Sequence, residues 1–381
     1  MRIVHTADWH LVNRSPILID RNDARFTKPV NIRLLDKIYR IHDIIKYCVN
    51  KAVDVLIIAG DIYDNNNPGA ELKVALSKLI AIIVKNRIHI IIIPGNHDET
   101  IWNDVSHLTI DSKYLNIVTK PKTIKIDGVH FHCVPYMKTG IESVVREFID
   151  KRQLYGERNI LVAHLMVKDC ILSLDQIAPN NIEGLDEEQL RGFDYVALGD
   201  VHFNQKIGNA KRVAKGNQIW YSGSIVKNSF AEANDKKYFN IIDIGDKIIV
   251  KRRKLVDRTF YNLFPSWKQI QSINKMLQRG IVIPICNKKI IPGSIIKMNI
   301  AVPRMTWKTF NSSRFVENFL KIYRVEYLKL NTNYVEEENV KLDTMLNSFE
   351  IMKKVINTDL ETNPDFKQSA IKSGNKILKE L

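Results

Sequence analysis

Cysteine, long apolar runs and acidic charge are scarce in this sequence, and each shortage excludes something. The four cysteines, Cys48, Cys133, Cys170 and Cys286, lie far apart and form no C-x-x-C pair. That argues against a disulfide framework and for reduced core thiols in a cytoplasmic protein. No apolar stretch reaches the ~20 residues needed to span a bilayer. The run HIIIIPG reads instead as a buried strand, and no membrane association is expected. The opening MRIVHTADWH enters a strand and a motif at once, so no signal peptide is visible. Neither an internal repeat nor a low-complexity segment is found.

Acidic residues fall short of basic ones: 42 Asp and Glu face 57 Lys and Arg, for a net charge of +15. Residues 205–258 hold 13 basic side chains against 5 acidic, a surplus of 8 and more than half the total. Clustered Lys and Arg displace counterions from phosphates, which points to a polyanionic partner. The whole chain is also rich in Lys, Ile and Asn, so bulk composition explains the charge equally well.

At 381 residues the chain can bury a large core, and two domains are more expected than one. From residue 1 to about 200, short apolar runs alternate with helical patterns. RIVHTA, VDVLIIAG, IHIIIIPG, NILVAH and YVALG read as buried strands. In 32–49, Leu34, Leu35, Ile38, Ile41, Ile44, Ile45, Cys48 and Val49 recur at helical spacing, and GAELKVALSKLIAIIVKN is a second helix. The order βαβαβ implies an α/β sheet with helices on its outer faces. TIKI, VHFHCVP, QIWYSG and YFNIIDIGDKIIVKRR add strands, the last a hairpin turning at Gly245-Asp246. Composition shifts after Arg258. Residues 260–303 mix a helix with strands and offer no catalytic His, so they read as a smaller second domain. The tail from about 336 carries an apolar stripe of Leu342, Met345, Leu346, Phe349, Met352, Val355 and Ile356. Such a stripe packs on its own domain or docks on a partner helix.

Five stretches share one property: each sits where a strand gives way to a loop and offers metal-binding side chains. They are Asp8 and His10 in HTADWH, Asp61 in AGDIYDN, Asn96, His97 and Asp98 in PGNHD, His164 in VAHLMV, and Asp200 and His202 in LGDVH. Sites of open α/β sheets form at the carboxyl ends of strands. At strand period, residues i and i+2 face one side, so each D-x-H pair presents two ligands together. Gly60, Gly95 and Gly199 stand beside these residues, where a tight turn excludes a Cβ. A lone His is usually structural; five stretches in this order point to a pair of metal ions.

This set resembles the calcineurin-like metallophosphoesterases, whose pattern runs D-x-H, G-D-x-x-D, G-N-H-D/E, H and G-H-x-H. Within them, the opening HTADWHL and the element YSGSIVKNSFAE at 221–232 resemble the SbcD-type DNA double-strand-break nucleases, with their G-S-x(4)-S-F element. Protein phosphatases of the superfamily carry G-D-x-x-D-R-G and G-N-H-E. The texts GDIYDNN and GNHDE argue against that branch. The resemblance covers roughly 1–258; beyond that only length and layout match.

The resemblance implies an αββα sandwich at 1–258, a smaller α+β capping domain at 259–335 and a helical tail at 336–381. It implies one ion on Asp8, His10, Asp61 and His202, and a second on Asp61, Asn96, His164 and Asp200, with Asp61 bridging. His97 would protonate or stabilise the leaving oxygen, and Asp98 would orient it. Two divalent ions about 3.5–4 Å apart hold a bridging hydroxide and polarise a phosphate. Carboxylate, carboxamide and imidazole ligands favour Mn²⁺, with Mg²⁺ the alternative. The implied function is Mn²⁺-dependent hydrolysis of DNA, as a 3′-to-5′ exonuclease on ends and an endonuclease on single strands. The implied partners are an SbcC-type ABC ATPase held through the tail and a second copy of the nuclease in a homodimer.

Position 200 departs from the pattern, which has His there. A carboxylate still binds a divalent ion and makes the second shell richer in oxygen. The competing reading is a degenerate site on a DNA-end-binding scaffold. A third reading keeps the chemistry on a small non-DNA phosphodiester. His130 and His132 share the i, i+2 spacing but lie inside a strand and read as structural, as does His5; His107 follows the GNHD loop and could approach the cleft. Arg14, in the long loop 13–31, and Lys251, Arg252 and Arg253 are the candidate DNA contacts. The alternative for KRRK is a solvated strand edge.

Overall fold

The structure is a computed structural model and describes residues 1–13, 19–20, 30–103, 112–152, 158–174, 184–208 and 218–335. Arg14, His107 and the tail stripe from 336 lie outside the described residues. Contacts divide the chain into two units, Met1–Phe260 and Tyr261–Leu381.

Apolar runs with no polar face must be covered on both sides, and the first unit does this with two sheets. Val55–Ala59 and Tyr195–Gly199 are buried along their whole length. One six-stranded sheet runs Ile248–Lys254, Tyr238–Ile244, Arg2–Thr6, Val55–Ala59, His89–Ile93, Leu115–Ile117. Its last four strands are parallel, and the hairpin 238–254 adds antiparallel to Arg2–Thr6. The other runs Gln205–Ile207, Ile219–Tyr221, Tyr195–Gly199, Arg158–His164, Val129–Val134, Lys122–Ile126, parallel through its middle four. The strand pattern alone implied one sheet; the five motif strands in fact divide between two.

Alternation along the strands sets the layers. Ile3, Val55, Ile57 and Ile91 share one core with Phe131, Ile160, Val162 and Ala197 of the other sheet. Val4, Leu56, Ile58 and Ile92 face the helices Ile32–Asn50 and Ala70–Lys85 instead. Asn31 caps the first helix by accepting from Arg33 N and Leu34 N. The second helix buries Leu72, Leu76, Ile80 and Ile83. At about 1.5–3 kcal/mol for each buried Leu or Ile, that stripe contributes roughly 6–12 kcal/mol before chain entropy is counted. On the far side, Leu161, Ala163, Val196 and Leu198 cluster with Val145 of the helix Ile141–Arg152.

The second unit has a three-stranded sheet of Phe260–Leu263, Ile295–Pro303 and Tyr327–Val335. The last two strands are parallel. Ile270, Ile273 and Leu277 of one helix and Phe315, Phe319 and Tyr323 of another pack on Met298 and Ile300.

Candidate metal centre

The motif side chains leave their strands through unusual backbone. Asp8, His10, Asp61 and Asp200 have φ of 52°, 47°, 52° and 95°. None is in an extended strand, so the two D-x-H pairs do not converge through the strand pleat, as the spacing implied. They converge through left-handed turns just past the strand ends. Such turns cost a non-glycine residue roughly 1–2 kcal/mol each. Hydrogen bonds between the loops hold them: Asp8 N donates to Gly60 O at 3.1 Å, and His10 N to Asp61 O at 2.9 Å. Gly60 combines a φ of 92° with close approach, since a Cβ there would lie 2.0 Å from His164 Nδ1. Gly199 needs the absence of a side chain rather than a turn, because a Cβ would lie 1.8 Å from Ala59 O.

His164 and His202 are fixed by hydrogen bonds at Nδ1, His10 has an ion-pair contact there, and each ring presents Nε2 to its neighbours. His164 Nδ1 donates to Ala59 O at 2.9 Å. His202 Nδ1 is 3.1 Å from Glu232 Oε1, and His10 Nδ1 is 3.3 Å from Asp64 Oδ1. A hydrogen bond at one ring nitrogen fixes the tautomer that frees the other. His10 Nε2 and His202 Nε2 then lie 2.9 Å apart. Asp61 Oδ2 is 3.6 Å from His10 Nε2 and 3.6 Å from His164 Nε2, so it stands between two clusters. On the far side, His164 Nε2 is 3.0 Å from Asn96 Oδ1 and 3.8 Å from Asp200 Oδ1. Asp200 N donates to Asp8 Oδ1 at 3.1 Å, while Asp8 Oδ2 is buried without a hydrogen-bond partner among the described residues.

These residues fit divalent ions. Among the described residues, Asp8, His10 and His202 offer ligand atoms within 4.8 Å of one another, as do Asp8, Asp61 and His164. Two nitrogens about 2.0–2.1 Å from one ion and at right angles around it lie about 2.9 Å apart, which matches the His10–His202 spacing. The orphaned Asp8 oxygen supplies a further donor. The Asp200 carboxylate lies on the His164 side, 3.8 Å from its Nε2.

The electrostatics report a cluster short of positive charge. Burial pushes the Asp8 carboxyl up to about 7. Burial alone would push His164 down, but Asp61, Asp200 and Asp8 together carry it up to about 9. Burial holds His10 down at about 4. Protons on Asp8 and His164 thus partly offset the carboxylates, and a divalent ion would displace them.

The remaining motif residues have other surroundings. His97 is exposed; its N donates to Asp61 Oδ1 at 3.0 Å, and its Nδ1 is 3.2 Å from Asp64 O. Its ring lies 4.9 Å from that of His10. Asp98 is wholly buried and accepts from Gly95 N, Ile62 N and Tyr63 N. Those bonds tie the Asn96 loop to the Asp61 loop. His132 is bonded to Thr123 and Asn159 within the strands, and His5 to Tyr195 and Leu198 beneath the site. Lys251, Arg252 and Arg253 lie on the exposed edge strand Ile248–Lys254. Arg252 lies over the Tyr238 ring and Arg253 over the Tyr47 ring.

Sequence reading missed three residues around the imidazoles. Asp64 is the last residue of G-D-x-x-D, and Glu232 closes the 221–232 element, so both stood in quoted motifs. Lys37 gave no signal: it is buried in the first helix and donates to His10 O at 2.5 Å.

Such a cluster, set at the carboxyl ends of strands from two packed sheets, suits an enzyme that works on phosphate esters with divalent ions. Residues 1–204 match the calcineurin-like phosphoesterase family, and the chain belongs to that family. It is similar to the D subunit of the nuclease SbcCD from Staphylococcus epidermidis, 28% identical over 296 residues that cover 70% of each chain. The corresponding protein of Staphylococcus saprophyticus is 29% identical over 284 residues, 68% of each chain. Among solved structures, a dimetal phosphatase from Danio rerio aligns with 68% of this chain and 97% of its own, at 13% identity and a TM-score of 0.43. No helix among the described residues is long and apolar enough to cross a membrane.

Proposed function

We propose that the chain is a metal-dependent nuclease that hydrolyses DNA phosphodiesters, as an exonuclease on ends and an endonuclease on single strands. The observation that carries the chemistry is Asp61 Oδ2, equidistant from His10 and His164. One ion would be held by Asp8, His10, Asp61 and His202, and the other by Asp61, Asn96, His164 and Asp200. Mn²⁺ suits this mixed oxygen and nitrogen set, with Mg²⁺ the alternative. When bound, such ions supply positive charge to the phosphate and an activated water.

The chain's own residues do the rest. The Asp61 carboxylate, held through His97 N, keeps the two ligand groups in register. His97 is the exposed imidazole beside this centre, free to meet a substrate. With Nδ1–H donating to the Asp64 carbonyl, Nε2 faces away as an acceptor in the neutral ring and can give a proton to the leaving oxygen only when the ring is doubly protonated. Asp98 acts one step back, by fixing the loop that carries Asn96 and His97.

Similarity to two staphylococcal proteins named as the D subunit of nuclease SbcCD supports a nuclease that works with a further subunit. We take the substrate to be DNA, the partner an SbcC-type ATPase and the setting cytoplasmic. We assign the partner contact to 336–381, DNA contacts to Lys251, Arg252, Arg253 and Arg14, and the assembly to a homodimer. The test is cleavage of labelled single- and double-stranded DNA in Mn²⁺ and in Mg²⁺. Cleavage is expected in Mn²⁺, and His97→Ala should abolish it while ion binding persists. Hydrolysis of small phosphodiesters with every DNA left intact, with or without the ATPase, would overturn the assignment of DNA.

A further inference from the structure

We propose that Glu232, clamped by Lys237, is the positioning residue for His202 and sets the affinity of the Asp8–His10–His202 half of the centre. This rests on His202 being a metal ligand. Glu232 divides its two oxygens between two tasks. Oε1 takes His202 Nδ1 at 3.1 Å, and Oε2 takes Lys237 Nζ at 2.5 Å. The same ammonium donates to His202 O at 3.1 Å and to Ser224 Oγ at 3.0 Å. His202 is therefore gripped at its ring through the carboxylate and at its backbone through the lysine.

The three imidazoles are not backed alike. Ala59 O behind His164 is a neutral carbonyl, and the Asp64 side chain behind His10 is 22% exposed. The Glu232 and Lys237 side chains are only 6% and 1% exposed. A buried ion pair is a poor choice for stability alone, since an apolar pair of similar volume often does as well or better. Here the pair has a directional use: it holds one ring nitrogen so that the other is presented toward His10. A carboxylate on the far nitrogen also raises the basicity of a ligating imidazole. Gly223 lets the turn carrying Ser224 close over this point, as a Cβ there would lie 2.7 Å from His202 O.

The test is Mn²⁺ titration calorimetry on the full chain, with thermal melting and the visible spectrum of the Co²⁺-loaded protein alongside. Glu232→Gln/Lys237→Met removes both charges of the pair together. Because it also takes one cation from the buried Asp235 carboxylate, 3.9 Å from Lys237 Nζ, melting should fall somewhat, and titration is done well below it. Two Mn²⁺ are expected for wild type. In the double variant one should weaken by ~10–100-fold while the other is unchanged. The Co²⁺ spectrum should shift, and Glu232→Asp should restore part of the loss. His202→Ala should lose the same ion. Wild-type affinity for both ions in the double variant would overturn the proposal while leaving the nuclease assignment standing. No Mn²⁺ bound by wild type would instead overturn the metal centre itself, and this proposal with it.

Discussion

Gly199→Ala probes the seam between the two sheets at its tightest point. Gly199 ends a strand of one sheet, and Ala59 ends a strand of the other. A Cβ at 199 would meet Ala59 O at 1.8 Å and His164 Nδ1 at 2.8 Å, against a working minimum of 3.0 Å. The seam must open by about 1.2 Å, and the obstacle is backbone carbonyl, which cannot swing aside. Overpacking of this kind costs roughly 1–3 kcal/mol or more. At ~2–4 °C of Tm per kcal/mol for a domain of this size, melting should fall by roughly 2–12 °C. The damaged carbonyl is also the one that orients His164, so a metal ligand moves with it. Misplacement by ~1 Å costs on the order of 100-fold in rate. The assays are thermal melting, Mn²⁺ titration and turnover of bis(p-nitrophenyl) phosphate. Gly245→Ala is the control, because nothing lies within 4 Å of its Cβ position. Unchanged melting and Mn²⁺ affinity in Gly199→Ala would refute the close approach and the role drawn from it.

Metal should stabilise the fold. Mn²⁺ at 100 times its Kd adds about 2.7 kcal/mol for each site, a Tm rise of ~5–11 °C that EDTA reverses. Binding should strengthen with rising pH, because Asp8 holds a proton up to about 7 and His164 up to about 9, and both must leave. Calorimetry in buffers of different ionisation heat should detect their release. Asp98→Ala strands three buried N–H groups, on Gly95, Ile62 and Tyr63. At roughly 1–3 kcal/mol each, it should cost ~3 kcal/mol or more, read by urea denaturation. Asp200→His replaces a hard oxygen with imidazole, and should raise the preference for Zn²⁺ over Mg²⁺ in competitive titration.

The strands of the first unit were legible because their apolar runs have no alternative to burial. The helix Ala70–Lys85 was equally plain, with four buried residues on one stripe. Ile141–Arg152 passed unnoticed although Ile141, Val144, Val145, Phe148 and Ile149 recur at helical spacing, a short stripe set among charged residues. Tyr327–Val335 hides because Asn331, Thr332 and Asn333 interrupt the apolar alternation that Leu328 and Leu330 begin. The motif residues could be named from the sequence because chemistry restricts their types. The route by which they converge could not, since the left-handed turns at Asp8, His10 and Asp61 leave no compositional mark. Glu232 stood in a quoted element without a role, and Lys237 looked like ordinary charge in a basic stretch. Only the fold turns them inward.

The division of ligands between the sheets links folding to function. Asp8, His10, Asp61 and Asn96 come from loops of the first sheet; His164, Asp200 and His202 come from the second. Each proposed ion takes donors from both, so each would staple the seam as well as serve the chemistry. Without ions, the Asp61 carboxylate repels those of Asp8 and Asp200, and the proton on His164 offsets part of the repulsion. Asp200 is not idle in this balance. Its N–H anchors Asp8 across the seam at 3.1 Å, and its carboxylate faces His164. The backbone bond would persist with any side chain at 200, so it is the carboxylate facing His164 that an ion on that side would use, and Asp200→His tests that use directly.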